Sequence, residues 1–189
     1  MCSSAGMKRP LCMRSAAGLT LVEVIVTVAI LAVLWGLAAP SFKPLLDRWR
    51  VQQAVGAMTG TLRLARSEAI QRGGEVVVQK IARHTDGCTL AATPADWGCG
   101  WMLFVDSDAS GSFTAGEEVL QSVRIPPGIS VVHRHGAAAI RVDRWGKMDG
   151  LNAKSFLVAP HPRATASSAT RSLCVAAGGR IRIAESASC

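Results

Sequence analysis

Oxygen-bearing side chains alternate in the segment DSDASGSFTAGE, residues 106–117. Asp106 and Asp108 begin the series, Gly111 permits a tight turn, and Glu117 lies six residues after that glycine. This order matches the calcium loop of an EF-hand. However, a strand pattern precedes the segment and no helix pattern follows it, and hairpin turns share this composition for steric and hydrogen-bonding reasons. We therefore assign no metal ligands and no cofactor, and calcium binding stays an alternative.

Two arginines at alternate positions near the C-terminus have the spacing to contact phosphate groups. Arg180 and Arg182 share one face of a predicted strand, about 6.7 Å apart, while Ile181 and Ile183 face inward. Guanidinium groups so placed can bind successive phosphates bidentately. No tyrosine occurs and no tryptophan is near them in sequence, so we expect contacts to the nucleic-acid backbone. Three further basic residues extend this surface if their segments fold beside it: Lys154, Arg163 and Arg171.

The positive charge of the chain is concentrated toward its C-terminal end. The formal net charge is +8, and from Arg141 onward eight basic residues face three acidic ones. Such asymmetry favours a polyanionic partner, either nucleic acid or an anionic lipid surface. A basic surface that serves only solubility is the alternative.

Four of the six cysteines follow the N-terminal apolar segment: Cys88, Cys99, Cys174 and Cys189. An even number in an exported region predicts two disulfides, for which three pairings exist. We favour Cys88–Cys99 and Cys174–Cys189, since each closes a short local loop. Metal binding is disfavoured because no CxxC motif occurs and no histidine stands beside these cysteines.

Motifs of catalysis are missing from the sequence. It contains no serine nucleophile elbow, no HExxH and no phosphate loop leading into a helix. We therefore predict that the chain is not an enzyme. An exported enzyme or calcium-binding module on an uncleaved anchor is the most distant alternative.

The N-terminal apolar segment carries one carboxylate. Residues 19–39 are long enough to span about 30 Å of hydrocarbon as a helix, and basic residues precede them. A secretory signal has a shorter apolar run, and Pro40 disfavours cleavage after Ala39. A plain anchor leaves Glu23 unexplained, because a carboxylate within a spanning helix costs about 2.5–3.5 kcal/mol.

Beyond Pro40 the pattern predicts an amphipathic helix over residues 41–74. Apolar residues recur at spacings of four and three, and Gly73-Gly74 supplies the stop. The stripe consists of Val51, Val55, Met58, Leu62, Ala65 and Ala69.

The sequence pattern over residues 75–189 predicts a β-rich region, which we call the head. Alternating segments are separated by clusters of Gly, Pro, Asp and Ser, and the region 159–172 is predicted to be a loop. Spacing of the βαβ type is missing, so we expect an α+β fold with an antiparallel sheet packed on the helix. The predicted strands are 75–81, 101–105, 118–125, 129–133, 140–143, 155–158, 173–175 and 180–183.

The N-terminus resembles the class III signal of type IV pilins and pseudopilins: a basic leader ending in Gly18, then Leu19-Thr-Leu-Val-Glu23 and about twenty apolar residues. The resemblance implies a leader over residues 1–18, which prepilin peptidase removes before Leu19 is N-methylated. It also implies a transmembrane and filament-core helix over 19–40, and a type IV pilin-like fold. Translation starting at Met7 or Met13 instead of Met1 leaves a shorter leader, so the start stays open.

Glu23 becomes the fifth residue of the mature chain in this interpretation. Two opposite charges buried together offset each other's desolvation, whereas either alone is penalised. The resemblance implies that Glu23 neutralises the new amine of Leu19, in its own or a neighbouring subunit, during assembly. The implied partners are prepilin peptidase, other pilins, an inner-membrane assembly platform and the inner membrane, with the head in the periplasm before filament assembly.

The segment LARSEAI, residues 64–70, resembles the signature of the FimT/GspH family of minor pilins and pseudopilins. Gly179-Arg180-Ile181-Arg182 matches the GRxR motif with which FimT-type minor pilins bind DNA in natural transformation. The resemblance implies a minor pilin near the tip of a type IV pilus, binding DNA independently of base sequence. The alternatives are a purely structural priming minor pilin and a type II secretion pseudopilin of the GspH type.

Overall fold

The structure is a computed structural model that divides into two compact units, Met1–Phe42 and Lys43–Cys189. The predicted leader and three predicted site residues, Gly18, Leu19 and Arg163, lie outside the described residues. The described residues are 20–134, 136–149, 153–162, 167–176 and 178–189, with side chains 37–41 left out.

One long helix, α1, runs from Leu21 to Arg72 and enters both units. Between Thr20 and Gly36 every residue is exposed. We predicted a membrane span over residues 19–40. In the part of the chain that the structure describes, no helix combines the length and the apolar character that crossing a membrane requires.

The second half of α1 belongs to the head and packs against its sheets. The six residues of the predicted apolar stripe are all buried, which confirms the helical period. The helix ends at Arg72, where Gly73 and Gly74 take positive φ values of 80° and 115°. The N–H of Gly74 donates to the carbonyl of Ala69 at 2.7 Å, so the glycines terminate the helix as predicted.

Eight strands follow α1 and form two antiparallel sheets, with a short 3-10 turn at Thr85–Gly87 after the first strand. The first sheet has the order β3-β2-β1-β5, and the second has the order β4-β6-β7-β8. The strands are β1 Val76–Lys80, β2 Trp101–Val105, β3 Val119–Val123, β4 Ile129–Arg134, β5 Ala139–Val142, β6 Lys154–Pro160, β7 Arg171–Val175 and β8 Ile181–Ala184.

All eight predicted strands exist and are antiparallel as expected, but they divide into two sheets, which the sequence did not predict. Strand β5 returns to pair with β1, while the preceding strand β4 pairs with β6 and begins the second sheet. The predicted loop over 159–172 is also shorter, because β6 continues to Pro160 and β7 begins at Arg171. Strand alternation identifies a strand but not its partner, so the division into sheets was not predictable from it.

The two sheets and α1 share one hydrophobic core. It combines the helical stripe with residues of β1, β2, β4, β5, β6 and β7. Trp97, Trp101 and Phe156 are fully buried within it. The α+β class is therefore confirmed, with the head built around the second half of α1.

Candidate functional site

The GRxR motif lies in the turn and second strand of the hairpin formed by β7 and β8. The N–H of Ala176 donates to the carbonyl of Arg180 at 2.9 Å, and the N–H of Gly179 donates to the carbonyl of Ala176 at 2.8 Å. Gly179 has φ +81°, a conformation that favours glycine. The glycine of the motif therefore shapes the turn that presents Arg180.

The strand register separates the arginines from the core. Residues directly opposite on neighbouring antiparallel strands point to the same side of a sheet. Ile181 lies opposite the buried Val175 and packs against the core, whereas Arg182 lies opposite Cys174. Arg180 is two residues before Arg182, so alternation places both arginines on the side away from the core.

Both arginines are exposed. Arg182 donates from Nη2 to the carbonyl of Cys189 at 3.1 Å, which orients its guanidinium while leaving other N–H groups to solvent. The guanidinium of Arg180 has no hydrogen-bond or ion-pair partner among the residues that the structure describes. The pair therefore offers several donors to an incoming anion.

Two other predicted basic residues do not extend this pair. Lys154 lies opposite Val175 and so shares the side of Ile181, and its Nζ is 3.5 Å from Asp149 Oδ1. Arg171 donates from Nη1 to the carbonyls of Ser168 and Thr170, each at 2.8 Å, and its Nη2 is 3.4 Å from Glu185 Oε1. The register and these bonds direct both side chains away from the face of Arg180.

Ile183 is on the inward side of β8, as predicted, because it lies opposite Leu173, but it is not buried. Its exposed fraction is 52% although its cross-strand neighbour Leu173 is fully buried. Strand β8 is a four-residue strand at the edge of the second sheet, so Ile183 lacks a neighbouring strand on its outer side. Period-two alternation assigns a side of the strand but not how far the core extends beneath it.

Two disulfides stabilise the loops of the head. Cys88 pairs with Cys99, and Cys174 pairs with Cys189, which are the pairings favoured by local spacing. The second disulfide fixes the C-terminal carbonyl that accepts from Arg182. Its sequence separation of 15 residues corresponds to about 3 kcal/mol of loop-closure stabilisation.

Arg66 of α1 is a component of this surface that sequence spacing did not reveal. Its Nη1 donates to the carbonyl of Gly178 at 3.3 Å. A Cβ added at Gly179 would lie 2.5 Å from Arg66 Nη1, and one added at Gly146 would lie 2.7 Å from Arg66 Cγ. Arg66 therefore lies between two turns that are far apart in sequence.

The turn beside Arg66 adds further groups. Arg144 and Lys147 are exposed, and the exposed fraction of Trp145 is 72%. A groove of about 340 Å³ separates α1 from the hairpin and is lined by Leu62, Arg63, Arg66, Ser67, Ile70, Gly179 and Ile181. We define the hairpin–helix surface as Arg180 and Arg182, on the outer side of β8, together with residues 144–147 and the neighbouring groove, which lies on the side of Ile181. Residues 144–147 belong to this surface because Gly146 of the same turn lies against Arg66.

Other residues of the LARSEAI segment bind the helix to the sheet. Ala65 and Ala69 are buried, and Arg72 at the helix end bonds to two carboxylates. Its Nε is 2.9 Å from Glu68 Oε2, and its Nη1 is 2.8 Å from Glu118 Oε2. These carboxylates, chiefly Glu118, raise the pKa of Arg72. Arg72 is therefore a structural cation, whereas Arg66 faces the hairpin.

At the N-terminal end of the described chain, Thr20 caps α1. Its Oγ1 accepts a hydrogen bond from the N–H of Glu23 at 3.2 Å, the backbone half of a capping box. Glu23 lies in the first turn, where the helix dipole favours a negative charge. The carboxylate thus has a local role in this chain, in addition to the predicted role in assembly.

The acidic segment predicted to be a turn connects β2 to β3. Its backbone is held by its own side chains: Asp108 Oδ1 accepts from the N–H of Ser110 at 2.9 Å, and Glu117 accepts from the N–H groups of Ser107 and Thr114. The hydrogen bonds to Asp108, chiefly that from the N–H of Ser110, lower the pKa of Asp108. Carboxylate oxygens of Asp106, Asp108 and Glu117 lie within 4.8 Å of one another.

Comparison with protein families gives two matches. Residues 54–179 match the family Type II transport protein GspH, which covers well over half of the chain. Residues 13–39 match the prokaryotic N-terminal methylation motif, at the position of the predicted leader junction.

A curated relative and solved structures agree with these matches. The chain is 36% identical over 101 residues to the Pilin-like protein PilA1 of Thermus thermophilus, an alignment that covers 53% of this chain and spans about half (55%) of that relative. The type IV minor pilin FimU of Pseudomonas aeruginosa shares the fold in two crystal forms. One has a TM-score of 0.56 at 19% identity over 72% of this chain and 90% of FimU; the other has 0.53 at 20% over 70% and 91%.

The fold, the family match and the methylation motif lead to one assignment. The FimU structures share the long N-terminal helix packed on antiparallel sheets. Proteins of this family are structural components that assemble with other pilins, not enzymes. The chain therefore belongs to the GspH family, has the type IV pilin-like fold and carries the N-terminal methylation motif.

Proposed function

We propose that this subunit is a minor pilin near the tip of a type IV pilus and that its hairpin–helix surface binds DNA for uptake in natural transformation. The observation that carries the proposal is the pair Arg180 and Arg182, exposed on the side of β8 away from the core. Arg66, which donates to the carbonyl of Gly178, adds positive charge at the hairpin, and the exposed Arg144 and Lys147 belong to the turn that lies against Arg66. Backbone phosphates are the complementary partner, so affinity depends strongly on salt and weakly on base sequence.

The proposal also includes how the N-terminus is processed and how it takes part in assembly. Prepilin peptidase removes the leader after Gly18, Leu19 is methylated, and Glu23 pairs with the new amine of Leu19 in the filament. The methylation motif and the family support a membrane-anchored subunit before assembly, held in the inner membrane with its head in the periplasm. The exposed apolar side chains between Leu21 and Trp35 support packing against lipid or other pilin helices.

A purely structural subunit is the second candidate function. The family match itself favours it, because its description names a type II transport protein. In that role the subunit primes a pilus or a secretion pseudopilus, and the arginines of β8 serve solubility. DNA affinity separates the two candidates.

An electrophoretic mobility shift of duplex DNA tests the proposal. The full chain, purified in a non-ionic detergent, is compared with Arg180→Ala plus Arg182→Ala. We expect retardation by the parent at low salt and at least about tenfold weaker binding by the double variant. Arg83→Ala plus Arg124→Ala is the matched control, because it removes two positive charges at the opposite end of the first sheet, beyond β1 and β3. That variant should bind within about twofold of the parent.

Two results would decide against the proposal. Unchanged binding after loss of Arg180 and Arg182 would reject this surface. No binding by the parent chain at low salt would favour the structural subunit.

A further inference from the structure

We propose that the loop joining β2 to β3 binds one Ca²⁺ ion through Asp106, Asp108 and Glu117. One carboxylate oxygen from each residue lies within 4.8 Å of the others. Two oxygens bound to the same Ca²⁺, each at about 2.4 Å, are at most about 4.8 Å apart. The three carboxylates are therefore already close enough to share one ion.

An unsatisfied oxygen supports this site independently of the cluster. The exposed fraction of Asp106 is 3%, yet its Oδ1 accepts no hydrogen bond from any residue that the structure describes. Its Oδ2 accepts from the N–H of Gly111 at 2.9 Å. A buried carboxylate oxygen without a partner loses the solvation it would have in water, and a bound cation restores that stabilisation.

The charges around the loop match a divalent cation. Arg141 Nη2 is 3.8 Å from Asp106 Oδ2 and also donates to the carbonyl of Ala109 at 2.9 Å. Three carboxylates and one guanidinium leave a local charge of about −2, which Ca²⁺ neutralises. Asp108 and Glu117 are on the more exposed side of the cluster, so an ion can enter without unfolding the loop.

The loop also has features that favour Ca²⁺ over Mg²⁺. Oxygen-bearing side chains stand at positions 1, 3, 5 and 12, and Gly111 at position 6 has φ +78°. Ca²⁺ accepts irregular sets of oxygen ligands, whereas Mg²⁺ requires near-octahedral geometry and retains its waters. Strands flank this loop where helices flank an EF-hand, so the ion would brace the β2–β3 connection.

Calorimetric titration of the chelator-treated full chain in detergent with CaCl₂ tests the site. We expect one ion per chain with a Kd of about 0.1–1 mM, the range of extracellular calcium modules. Asp108→Asn and Glu117→Gln should each weaken binding at least about tenfold. Glu185→Gln, which removes an exposed carboxylate in the C-terminal segment, should bind as the parent does.

Thermal unfolding with 10 mM CaCl₂ provides a second readout. The melting temperature of the parent should rise by a few degrees, while Asp108→Asn should show no rise, since an ion that binds only the folded state stabilises it. No heat of binding and no rise in melting temperature would overturn the proposal. Equal binding by the parent and both loop variants would also overturn it, as would Mg²⁺ binding as tight as Ca²⁺ binding.

Discussion

At the scale of single residues, His133 is a titratable side chain enclosed in the core. Its exposed fraction is 1%, and its ring stacks on Phe156 at 4.5 Å between ring centroids, with the edge of Trp97 at 5.6 Å. Nδ1 is 3.1 Å from the carbonyl oxygen of Ala137, which only accepts, so Nδ1 carries the proton of the neutral ring. Burial lowers the pKa of His133.

This lowered pKa predicts a pH dependence of stability. Below about pH 6.5 His133 is protonated in the unfolded chain but stays neutral in the folded chain. The free energy of unfolding should therefore fall as pH decreases from 7 toward 5. Urea unfolding measures the slope, which one such group limits to about 1.4 kcal/mol per pH unit. His133→Phe should flatten it, whereas His84→Asn, at an exposed histidine, should leave it unchanged. An equal slope in His133→Phe would contradict this origin.

At the scale of elements, Thr61 joins α1 to the first sheet. Its hydroxyl accepts from Trp101 Nε1 at 2.9 Å and lies 2.8 Å from the side-chain oxygen of Gln121. Trp101 begins β2 and Gln121 is in β3, so one buried hydroxyl connects three elements. Loss of that oxygen leaves the indole N–H without its acceptor in the core.

Thr61→Val should therefore lower the free energy of unfolding by about 1–3 kcal/mol, the cost of an unsatisfied buried donor. Urea denaturation followed by tryptophan fluorescence measures the loss. Thr59→Val is the matched control, because the hydroxyl of Thr59 bonds only to the carbonyl of Val55 within the same helix among the described residues. Equal losses of unfolding free energy in the two variants would show that the hydrogen bond from Trp101 to Thr61 stabilises the protein no more than a bond within the helix does.

Local patterns were sufficient to predict the elements themselves. The spacing of Val51, Val55 and Met58 identified the buried face of α1, and each strand was located to within about two residues of its ends. Which strands pair was not predictable, because β1 is separated in sequence from β5 and their pairing depends on contacts across the whole head.

The candidate site was predictable only where its residues are close in sequence. Arg180 and Arg182 were identified by their spacing of two within one strand. Arg66 was missed, because folding brings α1 to the hairpin from 114 residues away in sequence from Arg180. The side of Lys154 was also unpredictable, since it depends on the register between β6 and β7.

At the scale of the whole molecule, the two units have different surfaces. The N-terminal unit exposes apolar side chains along α1, whereas the head buries its own core and contains two disulfides. A helix with apolar residues around its circumference requires apolar surroundings, which neighbouring helices would provide in the proposed filament.

Glu23→Ala should impair incorporation into filaments without affecting cleavage of the leader. In the proposed processing, prepilin peptidase recognises the residues around Gly18, so cleavage should be unchanged on an immunoblot. Incorporation into sheared filaments should fall at least about tenfold, because the proposed pairing of Glu23 with the amine of Leu19 is lost. Glu23→Gln is the companion variant, since it keeps the size and can still accept a hydrogen bond. Normal incorporation of both variants would refute the role of Glu23 in assembly.

The salt dependence of DNA affinity tests the central proposal most directly. Fluorescence anisotropy of a labelled duplex measures the slope of log K against log salt concentration for the full chain in detergent. If Arg180 and Arg182 each contact one phosphate, the double alanine variant should show a slope shallower by about 1.8, since each contact contributes about 0.9. The control Arg83→Ala plus Arg124→Ala should keep the slope of the parent. Identical slopes for the parent and the Arg180/Arg182 variant would contradict DNA binding at this surface.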